Sequence, residues 1–213
     1  MPRPVPTLLY HFTHVSHLAR IVRYGLVCDT QVQAGGRLRV EVGNQEIKDL
    51  RRRCQVPCGP GGVVADYVPF YFAPRSPMLY AIKCGNVPTY QGGQSGLVYL
   101  CSTIERLDEL GCLWVATDRN AALAIARATS LPEDLDDLVD WPLMDEKYWN
   151  NIDEYPDRRE RRMAELLVHG CLPWAGIQFI GTRDQRDLDA VEATLGSLDG
   201  YQPRRDVRPH WYF

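Results

Sequence analysis

Apolar residues along the chain follow two rhythms. Residues 7–13 (TLLYHFT), 67–73 (YVPFYFA), 96–102 (GLVYLCS), 113–117 (LWVAT) and 176–181 (GIQFIG) are short apolar and aromatic runs, and they read as buried strands. Pro69 sits near the start of the second run, where a strand tolerates it only if no hydrogen-bonded neighbour needs its missing N–H. Elsewhere the apolar spacing lengthens to three and four. Leu18, Ile21 and Val22 share one face of a helix predicted over 16–24, with Gly25 as its stop. Ile47 and Leu50 give 45–53 a helical look, 77–82 begins a short helix after the Pro74-Arg75-Ser76 turn, and 187–195 is a further helix. The alanine-rich stretch 120–128 (NAALAIARA) is predicted to be helical. Gly35-Gly36 and the Cys58-Gly-Pro-Gly-Gly62 stretch interrupt the chain. Residues 131–157 form a polar, acidic connection carrying Trp141, Tyr148, Trp149 and Tyr155, and a connection of that length is usually functional or disordered. The final HWYF suggests a docked segment rather than a free tail.

Strands and helices do not alternate as regular βαβ units, which points to a mixed α+β domain rather than a doubly wound parallel sheet. A chain of 213 residues fits one such domain, and neither a repeat nor a linker divides it. With 45% hydrophobic and 24% charged residues the composition is that of a soluble globular protein. No apolar run approaches the roughly 20 residues of a membrane span. The first residues also lack the pattern of a secretory signal, so a cytoplasmic location without a membrane partner is expected.

A formal net charge of −3 does not advertise a nucleic-acid binder, but the basic residues are clustered. Arg51, Arg52 and Arg53 are consecutive; Arg158, Arg159, Arg161 and Arg162 form a second run; Arg204, Arg205 and Arg208 form a third. Acidic residues gather instead in 132–141 (PEDLDDLVDW). The seven cysteines are scattered, and only Cys54 and Cys58 are close, so reduced structural thiols are expected and a metal site is not. Glycine-rich dinucleotide loops, P-loops, serine-nucleophile elbows and HExxH helices are all missing, which leaves Rossmann-type or P-loop nucleotide use unsupported.

Three separated segments carry a pattern together. Tyr10-His11-Phe12-Thr13 places a histidine near the end of an early strand, with His14 following. Residues 70–77 (FYFAPRSP) combine a strand tyrosine, Tyr71, with Ser76, and Tyr80 comes shortly after. Met163-Ala164-Glu165-Leu166-Leu167-Val168 opens an apolar run with a carboxylate. The order of histidine, tyrosine and glutamate resembles that of diphtheria-toxin-like and PARP-like ADP-ribosyltransferases. In detail YVPFYFAPRSPMLY, RRMAELLV and the closing WYF resemble the DarT family of DNA ADP-ribosyltransferase toxins, over nearly the whole chain.

That resemblance implies an ADP-ribosyltransferase fold of two small, packed antiparallel or mixed sheets with flanking helices. It implies NAD+ as co-substrate without a metal, and single-stranded DNA as acceptor, thymidine ahead of guanosine. It also implies a macrodomain antitoxin of the DarG kind that reverses the mark. Glu165 would stabilise the positive charge that develops on the ribose, and Arg51, the chosen register among the three consecutive arginines, would bind pyrophosphate or act on the base. His11 would bond a ribose hydroxyl, with His14 second choice; the Phe12 backbone would meet the carboxamide, and Thr13 belongs to the same cofactor-binding segment. Tyr71 and Tyr80 would wall the nicotinamide slot, with Ser76 as the serine of the second strand. Tyr148 and Trp149 would stack on unpaired bases while Arg158, Arg161 and the neighbouring Arg162 hold phosphates. Two alternatives stay open: an ADP-ribosyltransferase acting on RNA or protein, and a catalytically silent nucleic-acid-binding module.

Overall fold

Strands buried on both faces lose the polar alternation of a half-exposed sheet and become continuous apolar runs, which is how the strands of this protein look. The computed structural model describes residues 2–36 and 40–213. In chain order it contains β1 (Leu8–His14), α1 (Leu18–Tyr24), β2 (Leu26–Val27), α2 (Asp29–Ala34), α3 (Gln45–Arg51), β3 (Tyr67–Tyr71), α4 (Pro77–Lys83), β4 (Leu97–Thr103) and α5 (Ile104–Glu109). There follow β5 (Trp114–Thr117), β6 (Ala128–Thr129), α6 (Leu135–Leu138), α7 (Trp141–Asp145), α8 (Arg158–Arg161), β7 (Glu165–His169), β8 (Cys171–Leu172), β9 (Phe179–Thr182), α9 (Gln185–Leu195) and β10 (Arg204–Val207).

The large sheet runs β10-β9-β4-β1-β3-β7-β5-β6, and β2 pairs separately with β8. Only β10 and β9 are parallel; the other pairings are antiparallel. The middle of the sheet is nearly split. Strand β1 pairs with β4 along its whole length but meets β3 at the single pair Tyr10↔Tyr71. The expected α+β class therefore holds; in place of two small packed sheets there are one large mixed sheet, nearly split at a single residue pair, and a two-stranded one. Pro69 explains how the split is tolerated. Its carbonyl accepts from His11 Nδ1 at 2.8 Å, so that carbonyl faces β1. The nitrogen of a strand residue lies on the same side as its carbonyl, so the missing N–H of Pro69 points into the gap and costs no ladder bond.

Alternation along the strands divides the core. Leu9, Val68, Phe70, Val98, Leu100, Leu166 and Val168 belong to one buried cluster under α5 and α9. Tyr10, Phe12, Leu97, Tyr99 and Cys101 belong to a second, packed against Leu79 and Ile82 of α4. The closing aromatics are docked as expected. The Tyr212 hydroxyl lies 3.0 Å from the Leu97 and Gly181 carbonyls. Trp211 comes so close to Gly181 that a Cβ there would stand 2.3 Å from its ring.

Two expectations fail here. Residues 120–128 are turns leading into β6 rather than a helix. Nine residues are too few to hold a helix alone, and their amides are used locally: the Ala122 N–H donates to the Asn120 side chain at 2.9 Å. The connection 131–157 is not a solvated insert either. Leu135, Leu138, Trp141, Leu143, Met144 and Trp149 are buried in the main core. Arg162, expected to hold phosphate, is spent on fixing this connection: its guanidinium donates to the carbonyls of Leu143 at 2.5 Å, Met144 at 2.9 Å and Pro74 at 2.8 Å. Burial pushes its pKa down to about 10, and it remains a cation at neutral pH. Arg162→Met strands three buried carbonyls, so the melting temperature is expected to fall by roughly 10 °C in thermal denaturation. A fall under about 2 °C would show that the connection is held by its apolar residues alone.

Candidate active site

Thr117, Glu165, Tyr71 and Tyr10 are successive partners across β5, β7, β3 and β1. Directly opposed residues of a sheet share a face, so this row sets a carboxylate beside a tyrosine at the point where the sheet splits. Beyond Tyr10, β1 diverges and a cavity of about 440 Å³ opens. His11, Phe12, Thr13, Arg51, Tyr71 and Glu165 all line it.

Glu165 has only 1% of its side chain exposed. Arg51 Nη1 lies 2.9 Å from its Oε2 and 3.1 Å from its Oε1. Burial raises the carboxyl above its ordinary range, while the charge and hydrogen bond of Arg51 and the Ala121 backbone pull it back down. The pairing is unsaturated, because Arg51 Nη2 is buried with no hydrogen-bond partner among the described residues. Arg51 lines the cavity, and a guanidinium there suits an oxygen-rich ligand.

Arg51 is held in place by charge. No residue of α3 is buried, and Ile47 and Leu50, which gave the segment its helical look, are 41% and 45% exposed. What fastens the helix is Asp29 at the start of α2. Its carboxylate takes Lys48 Nζ at 2.7 Å, and Arg52 Nε and Nη2 at 2.9 and 2.8 Å. Lys48 also reaches Glu41 at 2.6 Å. Burial of Asp29 opposes its ionisation, but bonds and charges from Lys48 and Arg52 outweigh it and hold the carboxyl below its usual range. Of the three consecutive arginines, Arg52 is thus an anchor and Arg51 is the one delivered to Glu165.

The opposite wall comes from β1 and β3. Since the Pro69 carbonyl can only accept, His11 Nδ1 must carry the proton. Burial lowers the His11 pKa, with the Pro69 bond opposing, so the ring is neutral at neutral pH and Nε2 is an acceptor. Val40 N–H donates to His17 Nε2 at 3.1 Å, so His17 Nδ1 donates to Thr13 Oγ1 at 3.0 Å and leaves the Thr13 hydroxyl proton free to donate. The Phe12 and Tyr71 rings lie 16° from parallel with centroids 6.4 Å apart.

Other expected site residues lie elsewhere. Ser76 does not line the cavity: it is buried and N-caps α4, its hydroxyl accepting from Leu79 N–H at 3.3 Å, and its side chain supports the Tyr71 hydroxyl from behind. His14 caps the turn after β1 by accepting from Ser16 N–H at 3.2 Å. Tyr80 does not line the cavity; it packs edge-on against Trp149 and Phe213. Trp149, expected to stack on bases, is 6% exposed and donates its indole N–H to the Arg75 carbonyl at 2.8 Å, so its ring is committed to packing. Tyr148 is 66% exposed. Arg158 pairs with Glu146, and Arg161 pairs with Asp140 and Asp157. Three further contributors carry no signal in the sequence. Asn120 lines the cavity and the Ala121 backbone reaches Glu165, both within the stretch expected to be helical; Arg159 lines the cavity mouth among arginines that look alike in sequence.

If Asp29 is what fastens α3, Asp29→Asn should leave the fold intact and speed amide hydrogen exchange across residues 45–51 by about tenfold or more. Exchange unchanged there would mean that α3 is held by something else.

The comparisons agree with this geometry. The profile of the family described as ssDNA thymidine ADP-ribosyltransferase, DarT, matches residues 10–213. A DNA ADP-ribosyl transferase of Thermus sp. (strain 2.9) is 39% identical over 99% of this chain and 98% of its own. Its Mycobacterium tuberculosis counterpart is 31% identical over 99% of this chain and 91% of its own. The structure of Thermus sp. 2.9 DarT in complex with ADP-ribosylated ssDNA superposes with a TM-score of 0.92 at 38% identity, covering 100% of this chain and 99% of that one. The complex of the same protein with NAD+ gives a TM-score of 0.88 at 38% identity, over 99% of this chain and 100% of that one. The family profile over residues 10–213, together with relatives that match from end to end in sequence and in structure, places the chain in the DarT family, described as ssDNA thymidine ADP-ribosyltransferase.

Proposed function

We propose that this protein transfers ADP-ribose from NAD+ to a thymine base in single-stranded DNA and releases nicotinamide. The observation that carries the proposal is the buried Glu165–Arg51 pair at the end of the split, opposite His11 and Tyr71. The cavity residues suit the donor. His11 Nε2 accepts from a ribose hydroxyl, the Thr13 hydroxyl donates, and the Phe12 and Tyr71 rings offer an apolar wall to nicotinamide. The NAD+ complex of the Thermus relative supports this assignment.

Transfer breaks the bond between the nicotinamide nitrogen and the anomeric carbon, and the electron pair leaves with nicotinamide. Positive charge grows on the sugar, and a carboxylate in a dry site acts where that charge develops. Thymine N3 forms the new bond and gives up its proton to solvent, and the Arg51 guanidinium in the cavity wall stabilises the negative charge on the base oxygens. A base in a duplex hides this edge, so an unpaired strand is the substrate. The DNA-bound Thermus relative supports the acceptor class. Exposed Tyr148 remains a stacking candidate, whereas Arg158 and Arg161 can reach phosphate only by exchanging their carboxylate partners. A DNA-modifying activity of this kind fits a cytoplasmic toxin paired with a macrodomain antitoxin of the DarG kind.

The test is incubation with NAD+ and short single-stranded DNA oligonucleotides, read by intact mass. One ADP-ribose added to thymine-containing strands, absent from strands without thymine, from duplex and from RNA, is the expected outcome. NAD+ consumption without any DNA product would move the acceptor to another class of molecule.

A further inference from the structure

Most of the arginines outside the cavity are paired with carboxylates. Arg159, Lys83 and Arg75 are among the cations that form no ion pair among the described residues, and Arg75 and Lys83 both lie over the Phe213 ring. Helix α4 forms a ridge between the cavity and this surface. Met78 and Ala81 line the cavity, and Tyr80 and Lys83 belong to the same helix without lining it. The Tyr80 ring, 44% exposed, meets the Phe213 ring at 5.1 Å and 66°. Arg75 Cζ sits 4.4 Å and Lys83 Nζ 5.9 Å from the centroid of Phe213. Arg159 lines the cavity and is exposed, so it carries positive charge on the cavity side of the same ridge.

The β3–α4 turn is built to present this surface. Arg75 has a left-handed backbone (φ 56°), a conformation that a non-glycine residue holds only when its surroundings impose it. Here the Tyr99 hydroxyl accepts from its N–H at 3.2 Å, and Trp149 and Arg162 bond the carbonyls of Arg75 and Pro74. Buried Trp149 thus serves the surface from beneath, holding up Arg75 and bracing Tyr80 at 6.0 Å.

Resting on the function proposed above, we propose that Arg159, Tyr80, Lys83, Phe213 and Arg75 form the track along which the acceptor single strand leaves the cavity mouth. Unpaired cations alternating with partly exposed rings suit a chain of phosphates and unstacked bases, which an acidic protein surface would not supply. The occupant is therefore single-stranded DNA flanking the modified base.

The test uses the full-length protein carrying Tyr80→Ala and Lys83→Glu, and Lys83→Glu alone in case the first disturbs packing. Binding of a thymine-containing oligonucleotide is measured across salt concentrations, and NAD+ affinity by calorimetry. The double variant is expected to bind DNA at least about tenfold more weakly, with NAD+ affinity retained. Lys83→Glu alone is expected to flatten the slope of log affinity against log salt by about 0.7 or more. Unchanged DNA affinity and slope, beside a wild type that binds, would overturn the track alone. Loss of NAD+ affinity in the double variant would also overturn it and return Tyr80 to the nicotinamide slot. A wild type that neither binds nor modifies the oligonucleotide would instead overturn the function on which the track rests.

Discussion

The structure depends on keeping one carboxylate charged in a place where water cannot help it. Glu165 is fully enclosed, and burial favours its neutral form. A carboxylate buried without a partner is costly, and removing the partner of a buried ion pair typically destabilises by roughly 3–5 kcal/mol. Arg51 supplies the opposing charge from a helix with no buried residue of its own. The chain therefore has to fix that helix by other means, and it does so with the Asp29 carboxylate and the cations on either side of Arg51. Three segments far apart in sequence, α2, α3 and β7, thus act as one electrostatic unit.

The split in the sheet gives that unit its use. A continuous ladder between β1 and β3 would bring backbone against backbone and leave no space beside Glu165. The single Tyr10↔Tyr71 pair keeps the halves together, and Pro69 lets β3 face the opening without an orphaned donor. The remaining ring nitrogen of His11 becomes an acceptor because its first is held by Pro69. Site chemistry and sheet defect arise from the same residues.

Much of this was legible in the sequence, and the gaps have physical causes. The apolar runs located β1, β3, β4, β5 and β9, because strands covered on both faces cannot hide their composition. β10 (RRDV) was invisible, since an edge strand of polar residues has no hydrophobic signature. His11, Tyr71, Glu165 and Arg51, which the motifs single out, line one cavity. The helix expected at 120–128 failed because propensity is a weak prior against local capping and the demand of Glu165 for a backbone donor. Trp149 and Tyr148 are adjacent and chemically alike, yet one is buried and the other exposed, and only the packing of 131–157 decides which. The same holds for Arg159 among its neighbours: charge pairing across the fold leaves it unpaired, and composition cannot report that.

The most direct test of this account is the protonation state of Glu165, read as the carboxyl band in difference infrared spectra between wild type and Arg51→Met at neutral pH. With the one cation that pairs with it among the described residues removed, Glu165 is predicted to take up a proton. A protonated-carboxyl band should appear in Arg51→Met, be absent in wild type, and vanish again when Glu165→Gln is added. A carboxylate that stays ionised without Arg51 would contradict the claim that this pair organises the site.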